Sequence, residues 1–132
     1  MNGFAIVLAS EELERIQAVS IISSVAAASG IPVDIFVTMN GFRPFEREVV
    51  DKMDFAGGRA AEAMMNAEDV DVPLFTEQLE QAKSLGPLSI HACEMTMDLM
   101  DKELEDFVDL FDGKLGVSGF ISAAEDKQVI FV

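Results

Sequence analysis

Short apolar runs alternate with longer helical patterns along the whole chain. The apolar runs fall at residues 3–9, 33–39, 88–93, 114–117 and 127–132, and each has the length of a β-strand. Helical patterns occupy the sequence between them, at residues 10–29, 44–53, 58–67, 76–85, from 94 onward, and 119–126. Strands that alternate with helices predict βαβ units, which place helices on both faces of a mostly parallel five-stranded sheet.

Capping and turn residues mark the ends of these elements. Ser10 precedes a run of glutamates and is the expected N-cap of the first helix, which Gly30 ends. Gly41 lies in the turn that closes the second strand, and Gly86 stops the helix before the third. No linker, repeat or low-complexity segment interrupts the pattern, so we expect one domain over residues 1–132.

The first helix carries no charge from residue 16 to residue 28. A helix on the surface of a monomer should keep a polar face. We therefore expect one side to pack on the sheet and the other to meet a second subunit, although its serines could also serve as a solvent face. The uncharged stretch extends to residue 33, the lower edge of membrane-spanning length, but its serines and the break at Gly30 argue against a span.

Residues 43–72 give the least regular pattern in the chain. A segment at the carboxyl end of the second strand is well placed to cover a binding site, because ligands of parallel sheets bind at that edge. A surface excursion with ordinary packing explains the pattern equally well.

Composition narrows the possible partners. The chain has 132 residues, 50% of them hydrophobic, and its 24 acidic and 9 basic side chains give a formal charge of -15. The hydrophobic content excludes a disordered chain, and the acidity argues against nucleic acid or an anionic membrane as a partner. The single cysteine, Cys93, excludes an intrachain disulfide framework. The N-terminus lacks the basic residues of a signal peptide, so we expect a cytoplasmic protein.

The negative charge is concentrated after the cysteine. Eight acidic residues lie between Glu94 and Asp112, with Lys102 as the only base among them. These acids are either an ordinary solvated surface or a face that steers a basic partner protein toward Cys93.

Cofactor signatures are missing from the sequence. It has neither a G-x-G-x-x-G nor a G-x-x-x-x-G-K-[ST] motif, and Glu11 and Glu12 follow Ser10 in the loop where a phosphate would bind. The chain also lacks the Trp and Tyr that usually stack on a flavin. His91 and Cys93 supply two metal ligands at most. We therefore expect no nucleotide, flavin or metal.

Cys93 is the best candidate for chemistry. It lies at the end of the third strand and the start of a helix, where free N–H groups favour the nucleophilic thiolate. His91 points to the same side of the strand and could accept a proton from the thiol. The negative charges of Glu94 and Asp98 act against a thiolate, because they raise the pKa of a nearby thiol. The alternatives are a cysteine that packs as a small hydrophobic residue and a histidine satisfied within the core.

The segment around this cysteine resembles a known family. Its sequence, Ile90-His-Ala-Cys93-Glu-Met-Thr-Met-Asp-Leu-Met100, is similar to the active-cysteine segment of DsrE/DsrF-like sulfur carriers, in particular the peroxiredoxin-like members. Ala5-Ile-Val-Leu-Ala-Ser10 is similar to the first strand and helix start of that family. Phe36-Val-Thr-Met-Asn-Gly41-Phe42 is similar to the second strand and its following turn.

The resemblance implies a three-layer α/β/α fold, flavodoxin-like in general architecture, and a homo-oligomer, either a trimer or a hexamer. It also implies that Cys93 carries sulfane sulfur, as a persulfide or thiosulfonate, between a donor such as thiosulfate and a TusA-like carrier protein. The residues expected to support Cys93 are His91, Glu94, Thr96 and Asp98. The residues expected to form a pocket or bind an anion are Ser10, Gly41, Arg43 and Met97.

Two of these residues have a plainer interpretation. Arg43 could meet an anionic donor or be an ordinary surface arginine, and Met97 is expected mainly to fill the core beneath the site. A second function therefore stays open, a non-catalytic oligomeric binding or regulatory module in which Cys93 is structural.

Overall fold

The structure, a computed structural model, describes residues 2–67 and 73–132. This part of the chain contains five strands, β1 (Phe4–Leu8), β2 (Val33–Val37), β3 (Leu88–Cys93), β4 (Gly113–Leu115) and β5 (Gln128–Phe131). Its α-helices are α1 (Leu13–Ala28), α2 (Arg47–Lys52), α3 (Arg59–Met65), α4 (Phe75–Leu85), α5 (Glu94–Leu99) and α6 (Val117–Ala123). Two 3₁₀ helices span Met39–Phe45 and Leu104–Asp106.

All five strands pair in parallel, in the spatial order β4-β3-β2-β1-β5. The connections that contain α1 and α4 lead from β1 to β2 and from β2 to β3, toward the edge formed by β4. The connection through α6 leads from β4 back to β5 at the other edge. Because crossovers are right-handed, this reversal places α6 on the face of the sheet opposite α1 and α4. Phe120 of α6 stacks on Phe36 of β2, with ring centroids 4.6 Å apart. The predicted three-layer α/β/α fold, flavodoxin-like in general architecture, is confirmed.

Side chains of the sheet alternate between its two faces. Ile35 and Ile90 are fully buried on the face covered by α1 and α4. Phe36, His91 and Cys93 project from the other face, since Phe36 and His91 lie side by side in the register of β2 and β3. We call this second face the site face.

The predicted start of the first helix was wrong. Ser10 is not its N-cap, because α1 begins at Leu13 and no side chain caps it. The N–H of Leu13 instead donates to the carbonyl of Ala56, at 2.9 Å, so a distant backbone segment replaces the local cap.

Three further element ends differ from the sequence prediction. The turn at Gly41 is part of the 3₁₀ helix Met39–Phe45, and α2 therefore starts three residues after the predicted position at Pro44. Val117 begins α6 instead of ending a strand, because Gly116 takes the N-cap position. Asp126 adopts a left-handed backbone with φ 65°, which keeps it outside the helix.

The described part of residues 43–72 is anchored in the core by a few apolar side chains, while most of its residues are exposed. Phe45 is fully buried and Phe55 nearly so. Both rings contact Phe75 at the start of α4, with centroid distances of 5.3 and 5.8 Å. Aromatic packing thus decides the position of this segment, while residues 68–72 lie outside the described part.

The uncharged stretch of the first helix gives two structural results. Across residues 2–67 and 73–132, no helix is long and apolar enough to cross a membrane. The outer side of α1 exposes Ile21, Ile22 and Val25, at 49%, 50% and 65%. Contact of this side with a second subunit stays a prediction.

Candidate functional site

Cys93 lies at the carboxyl edge of the parallel sheet. It is the last residue of β3 and the N-cap residue of α5. The residue is 3% exposed, so the resting thiol is screened from bulk solvent. Strand end and helix start therefore coincide as expected, but the accessibility is lower than for a surface nucleophile.

Two threonines flank the cysteine from different elements. Thr38 directly follows β2, and Thr96 lies in the first turn of α5. Their hydroxyl oxygens lie 3.2 Å apart, and Oγ1 of Thr96 also accepts a hydrogen bond of 3.2 Å from the N–H of Met39. One of the two hydroxyl protons is used between the threonines, which leaves the other available to the sulfur of Cys93.

These surroundings favour the thiolate. Burial raises the pKa of the Cys93 thiol, because a desolvated thiolate loses its hydration. Hydrogen bonding to the hydroxyls of Thr38 and Thr96, and to the backbone N–H groups of Thr96 and Met95, lowers the pKa by more. The net pKa of Cys93 therefore lies below its ordinary value.

The remaining residues of α5 divide between the core and the surface. Thr96 and Met97 are buried, and Met97 fills the core beneath the site. Glu94 and Asp98 are exposed on the outer side of the helix, so water screens their charges. Met95, also on that outer side, is 64% exposed.

His91 does not pair with the thiol as the sequence suggested. Its Nε2 lies 2.9 Å from Oδ1 of Asp34, and Oδ2 of Asp34 accepts from Nζ of Lys127 at 2.8 Å. Burial raises the pKa of the Asp34 carboxyl, but the hydrogen bonds from His91 and Lys127 outweigh it and hold the pKa below its ordinary value. The ring of His91 is thus engaged two residues before Cys93 on the same face.

The three candidates in the other loops have structural partners. Ser10 accepts a 3.3 Å hydrogen bond from the N–H of Glu12. Gly41 is buried where a Cβ atom would collide with the carbonyl of Leu8, so close backbone approach requires glycine there. Nη2 of Arg43 lies 3.3 Å from a carboxylate oxygen of Asp54, whereas its Nη1 is buried and has no hydrogen-bond partner within the described residues.

Sequence reasoning missed Thr38 and the pair Asp34–Lys127. Thr38, which directly follows β2, lies at the level of Cys93, the last residue of β3, and this relationship is visible only once β2 and β3 are known to be neighbours in register. The sequence did contain a signal for Thr38, because this residue belongs to the segment Phe36–Phe42 that resembles the family. Within residues 2–67 and 73–132, no group of three or more His, Cys, Asp and Glu residues could hold a metal ion.

Comparisons with known proteins bear on both the fold and the cysteine segment. A sequence model of the DsrE/DsrF/DrsH-like family matches residues 46–132, which include Cys93 and α5. A solved structure of a protein of unknown function from Methanobacterium thermoautotrophicum superposes with a TM-score of 0.66 and 11% identity, over 100% of both chains. At that identity the likeness shows the fold alone. No curated protein matches the chain.

Proposed function

Because this chain belongs to the DsrE/DsrF/DrsH-like family, whose role is related to sulfur relay, we propose that it is a sulfur carrier or sulfurtransferase. In this proposal Cys93 holds sulfane sulfur as a persulfide and passes it to a partner protein. The observation that carries the proposal is the environment of Cys93, in which two hydroxyls and two backbone N–H groups lower the thiol pKa. Thiolate is the form that attacks sulfur.

Loading follows from that thiolate. With thiosulfate as donor, the sulfur of Cys93 attacks the outer sulfur, and a new S–S bond forms as the bond to sulfite breaks. Sulfite leaves with the electron pair, so the step needs no further oxidant. The donors around Cys93 stabilise the negative charge on sulfur before and after the step.

Delivery has to overcome the burial of the thiol. Cys93 is 3% exposed, but a persulfide extends the side chain by one S–S bond, about 2 Å. Delivery requires that this added length brings the outer sulfur nearer the surface than the thiol. An acceptor thiolate attacks this outer sulfur, takes it as its own persulfide and releases the Cys93 thiolate.

Mass spectrometry tests the loading step. After incubation with thiosulfate or polysulfide, the wild-type protein should gain the mass of one or more sulfur atoms. With tetrathionate it should gain a thiosulfonate group, as thiosulfate leaves, and a reductant should remove either modification. Cys93→Ser is the matched control, since it deletes the only cysteine of the chain, and it should gain nothing. A wild-type protein that stays unmodified with every donor would contradict the proposal.

The proposal extends to the partner. We expect a small basic carrier of the TusA-like kind, because acidic residues crowd the sequence after Cys93, and a homo-oligomeric trimer or hexamer. Some of these acids pair locally, as Asp112 does with Lys83 at 2.9 Å, but Glu94 and Asp98 lie exposed on α5. We also expect a cytoplasmic location, where thiols are kept reduced.

The dependence of the sulfur-transfer rate on salt concentration tests whether the acidic residues attract a basic partner. The rate of transfer to a basic acceptor should fall as salt rises, and Glu94→Gln with Asp98→Asn should weaken that dependence. Transfer that is insensitive to salt would show that the acids are only a solvated surface.

One observation favours a second function, a binding or regulatory module with a structural cysteine. The 3% exposure of Cys93 is what a packed thiol would show. In that case native protein reacts slowly with iodoacetamide, with a titration midpoint at or above about 8.5, the ordinary range of a free thiol. A lower midpoint together with fast reaction would exclude this second function.

A further inference from the structure

A left-handed backbone is found at four residues other than glycine in the described part of the chain: Met39, Met53, Asp101 and Asp126. Three of these follow helices, since Met53 is the C-cap of α2 and Asp101 and Asp126 come shortly after α5 and α6. Helices often end in this conformation. Met39 instead begins an element, the 3₁₀ helix that follows β2, so its strained backbone needs a different explanation.

The side chain of Met39 does not explain its conformation. Met39 is 48% exposed and Met53 is 46% exposed, so the two methionines are buried to the same extent. Their backbone N–H groups differ. The N–H of Met53 donates to the carbonyl of Val50 in its own helix, whereas the N–H of Met39 donates to Oγ1 of Thr96, beside Cys93.

The register of the sheet shows why the N–H of Met39 needs this acceptor. The N–H of Val33 donates to the carbonyl of Pro87, at 2.9 Å, and β2 and β3 then pair in parallel. Continued by six residues on both strands, the same pattern would direct the N–H of Met39 to the carbonyl of Cys93. Cys93 is the N-cap residue of α5, so its carbonyl belongs to that helix. The hydroxyl of Thr96 accepts the N–H at 3.2 Å instead.

This hydrogen bond restricts the hydroxyl of Thr96. A hydroxyl has one proton and two lone pairs, and the N–H of Met39 occupies one lone pair. The proton of Thr96 then has two acceptors within reach, Oγ1 of Thr38 at 3.2 Å and the sulfur of Cys93. A hydroxyl that accepts a hydrogen bond also becomes a stronger donor, because successive hydrogen bonds polarise one another.

We infer that Met39 is a positioning residue, whose left-handed backbone aims its N–H at Thr96 so that the Thr96 hydroxyl donates to the sulfur of Cys93. The chain of bonds runs from the N–H through the hydroxyl to sulfur, and it is strongest when the sulfur carries a charge. The inference rests on the proposed function, because it concerns the thiolate that takes up sulfur. It can nevertheless be tested without a sulfur donor.

Two substitutions of Met39 separate its backbone from its side chain. Valine disfavours a left-handed backbone, so Met39→Val should turn the N–H away from Thr96. The iodoacetamide rate of Cys93 at neutral pH should then fall about fivefold, and the pH profile of alkylation should move to higher pH. Met39→Gly keeps the N–H and adopts the left-handed backbone freely, so its rate should stay within about twofold of wild type.

Met53→Val is the matched control for a general loss of stability. The two methionines have φ values of 49° and 53° and nearly equal exposure, so valine meets the same backbone penalty at both positions. The N–H of Met53 does not reach the sulfur cluster, because it bonds to Val50. Met53→Val should therefore lower the melting temperature as Met39→Val does and leave the alkylation profile of Cys93 unchanged.

A double substitution tests whether Met39 acts through Thr96. In the Thr96→Val protein the N–H of Met39 has already lost its acceptor, so adding Met39→Val should slow alkylation no further. Two losses that simply multiply would show that Met39 affects the thiol by another route and would overturn the inference.

Nuclear magnetic resonance of the full chain tests the same bond without changing Met39. The amide resonance of Met39 should shift with pH at the midpoint found by alkylation, and the shift should be absent in Cys93→Ser. The amide of Met53 should not follow that midpoint. An unresponsive Met39 amide, a folded Met39→Val protein with the wild-type profile, or a Met39→Gly protein as slow as Met39→Val would each overturn the inference. If these results are as expected but no donor loads sulfur, the proposed function alone is contradicted.

Discussion

Two polar clusters lie on the site face of the sheet and differ in what holds them together. The charged cluster consists of Asp34, His91 and Lys127, with contacts of 2.9 and 2.8 Å. The sulfur cluster consists of Cys93, Thr38 and Thr96 and contains no charged partner for the sulfur. His91 and Cys93, two residues apart on β3, belong to different clusters.

The difference separates stability from reactivity. In the charged cluster each residue contacts another member, so the cluster ties β2, β3 and the start of β5 together. In the sulfur cluster the two hydroxyls share one hydrogen bond and can reverse it, so one proton always remains for sulfur. The thiol is therefore tuned by neutral donors and not by a neighbouring imidazole.

Asp34→Asn should have the largest effect and act on stability alone. It removes the charge that compensates Lys127, and both residues are mostly buried, at 16% and 18% side-chain exposure. We expect a loss of roughly 2 kcal/mol in the free energy of unfolding, less than for a fully buried pair. Urea titration measures it, and the iodoacetamide rate of Cys93 should stay within twofold of wild type. A variant with wild-type stability and a slow thiol would show that the two clusters are one unit.

The stability difference at Asp34 should depend on pH in a defined direction. The folded pKa of Asp34 is below its ordinary value, so its contribution is complete above about pH 4 and is lost as pH falls through the folded pKa. The gap between wild type and Asp34→Asn should therefore shrink in acid. Glu48→Gln is the matched control, because its pair with Lys52 is exposed at the surface, and it should leave the stability unchanged.

Thr96→Val should have the largest effect on the thiol. It removes a hydroxyl donor to sulfur. It also leaves the N–H of Met39, the residue after Thr38, without its hydrogen-bond acceptor. A hydrogen bond to a charged group contributes about 1.5 kcal/mol, so the iodoacetamide rate at neutral pH should fall about tenfold. Thr96→Ser, which keeps the hydroxyl, should restore most of the rate. An unchanged iodoacetamide rate in Thr96→Val would show that the hydroxyls do not activate the thiol of Cys93.

The architecture follows from local sequence, whereas the site depends on contacts that local sequence does not contain. The apolar run of β3 and the capping position of Cys93 are local features, and both were predicted to the residue. Asp34, the partner of His91, lies in β2, and Thr38, one of the two threonines beside Cys93, directly follows β2, so only the strand order β4-β3-β2 brings them next to β3.

The predicted start of α1 was wrong for the same physical reason. Ser10 and the following glutamates form a good local cap, but the N–H of Leu13 binds the carbonyl of Ala56 instead. A tertiary hydrogen bond replaced the local one, and a pattern of neighbours along the chain cannot reveal it.

Thr38→Val should slow the thiol less than Thr96→Val does. Without Thr38, the hydroxyl of Thr96 loses its partner and can turn its proton to the sulfur, while its bond from Met39 remains. We expect the iodoacetamide rate to fall about threefold, a loss well below that of one full charged hydrogen bond. If Thr38→Val is as slow as Thr96→Val, the compensation between the two hydroxyls does not occur.

His91→Gln should have the smallest effect on the thiol and gives the sharpest test of the separation. A glutamine can still donate to Asp34, which also keeps Lys127, so the fold should lose about 1 kcal/mol or less. If the imidazole plays no part in activating sulfur, the pH profile of Cys93 alkylation should overlay that of the wild type. A profile displaced along the pH axis, or a rate reduced as far as in Thr96→Val, would mean that His91 reaches the sulfur in solution. The histidine would then belong to the sulfur cluster, and its pairing with Asp34 would be what orients it there.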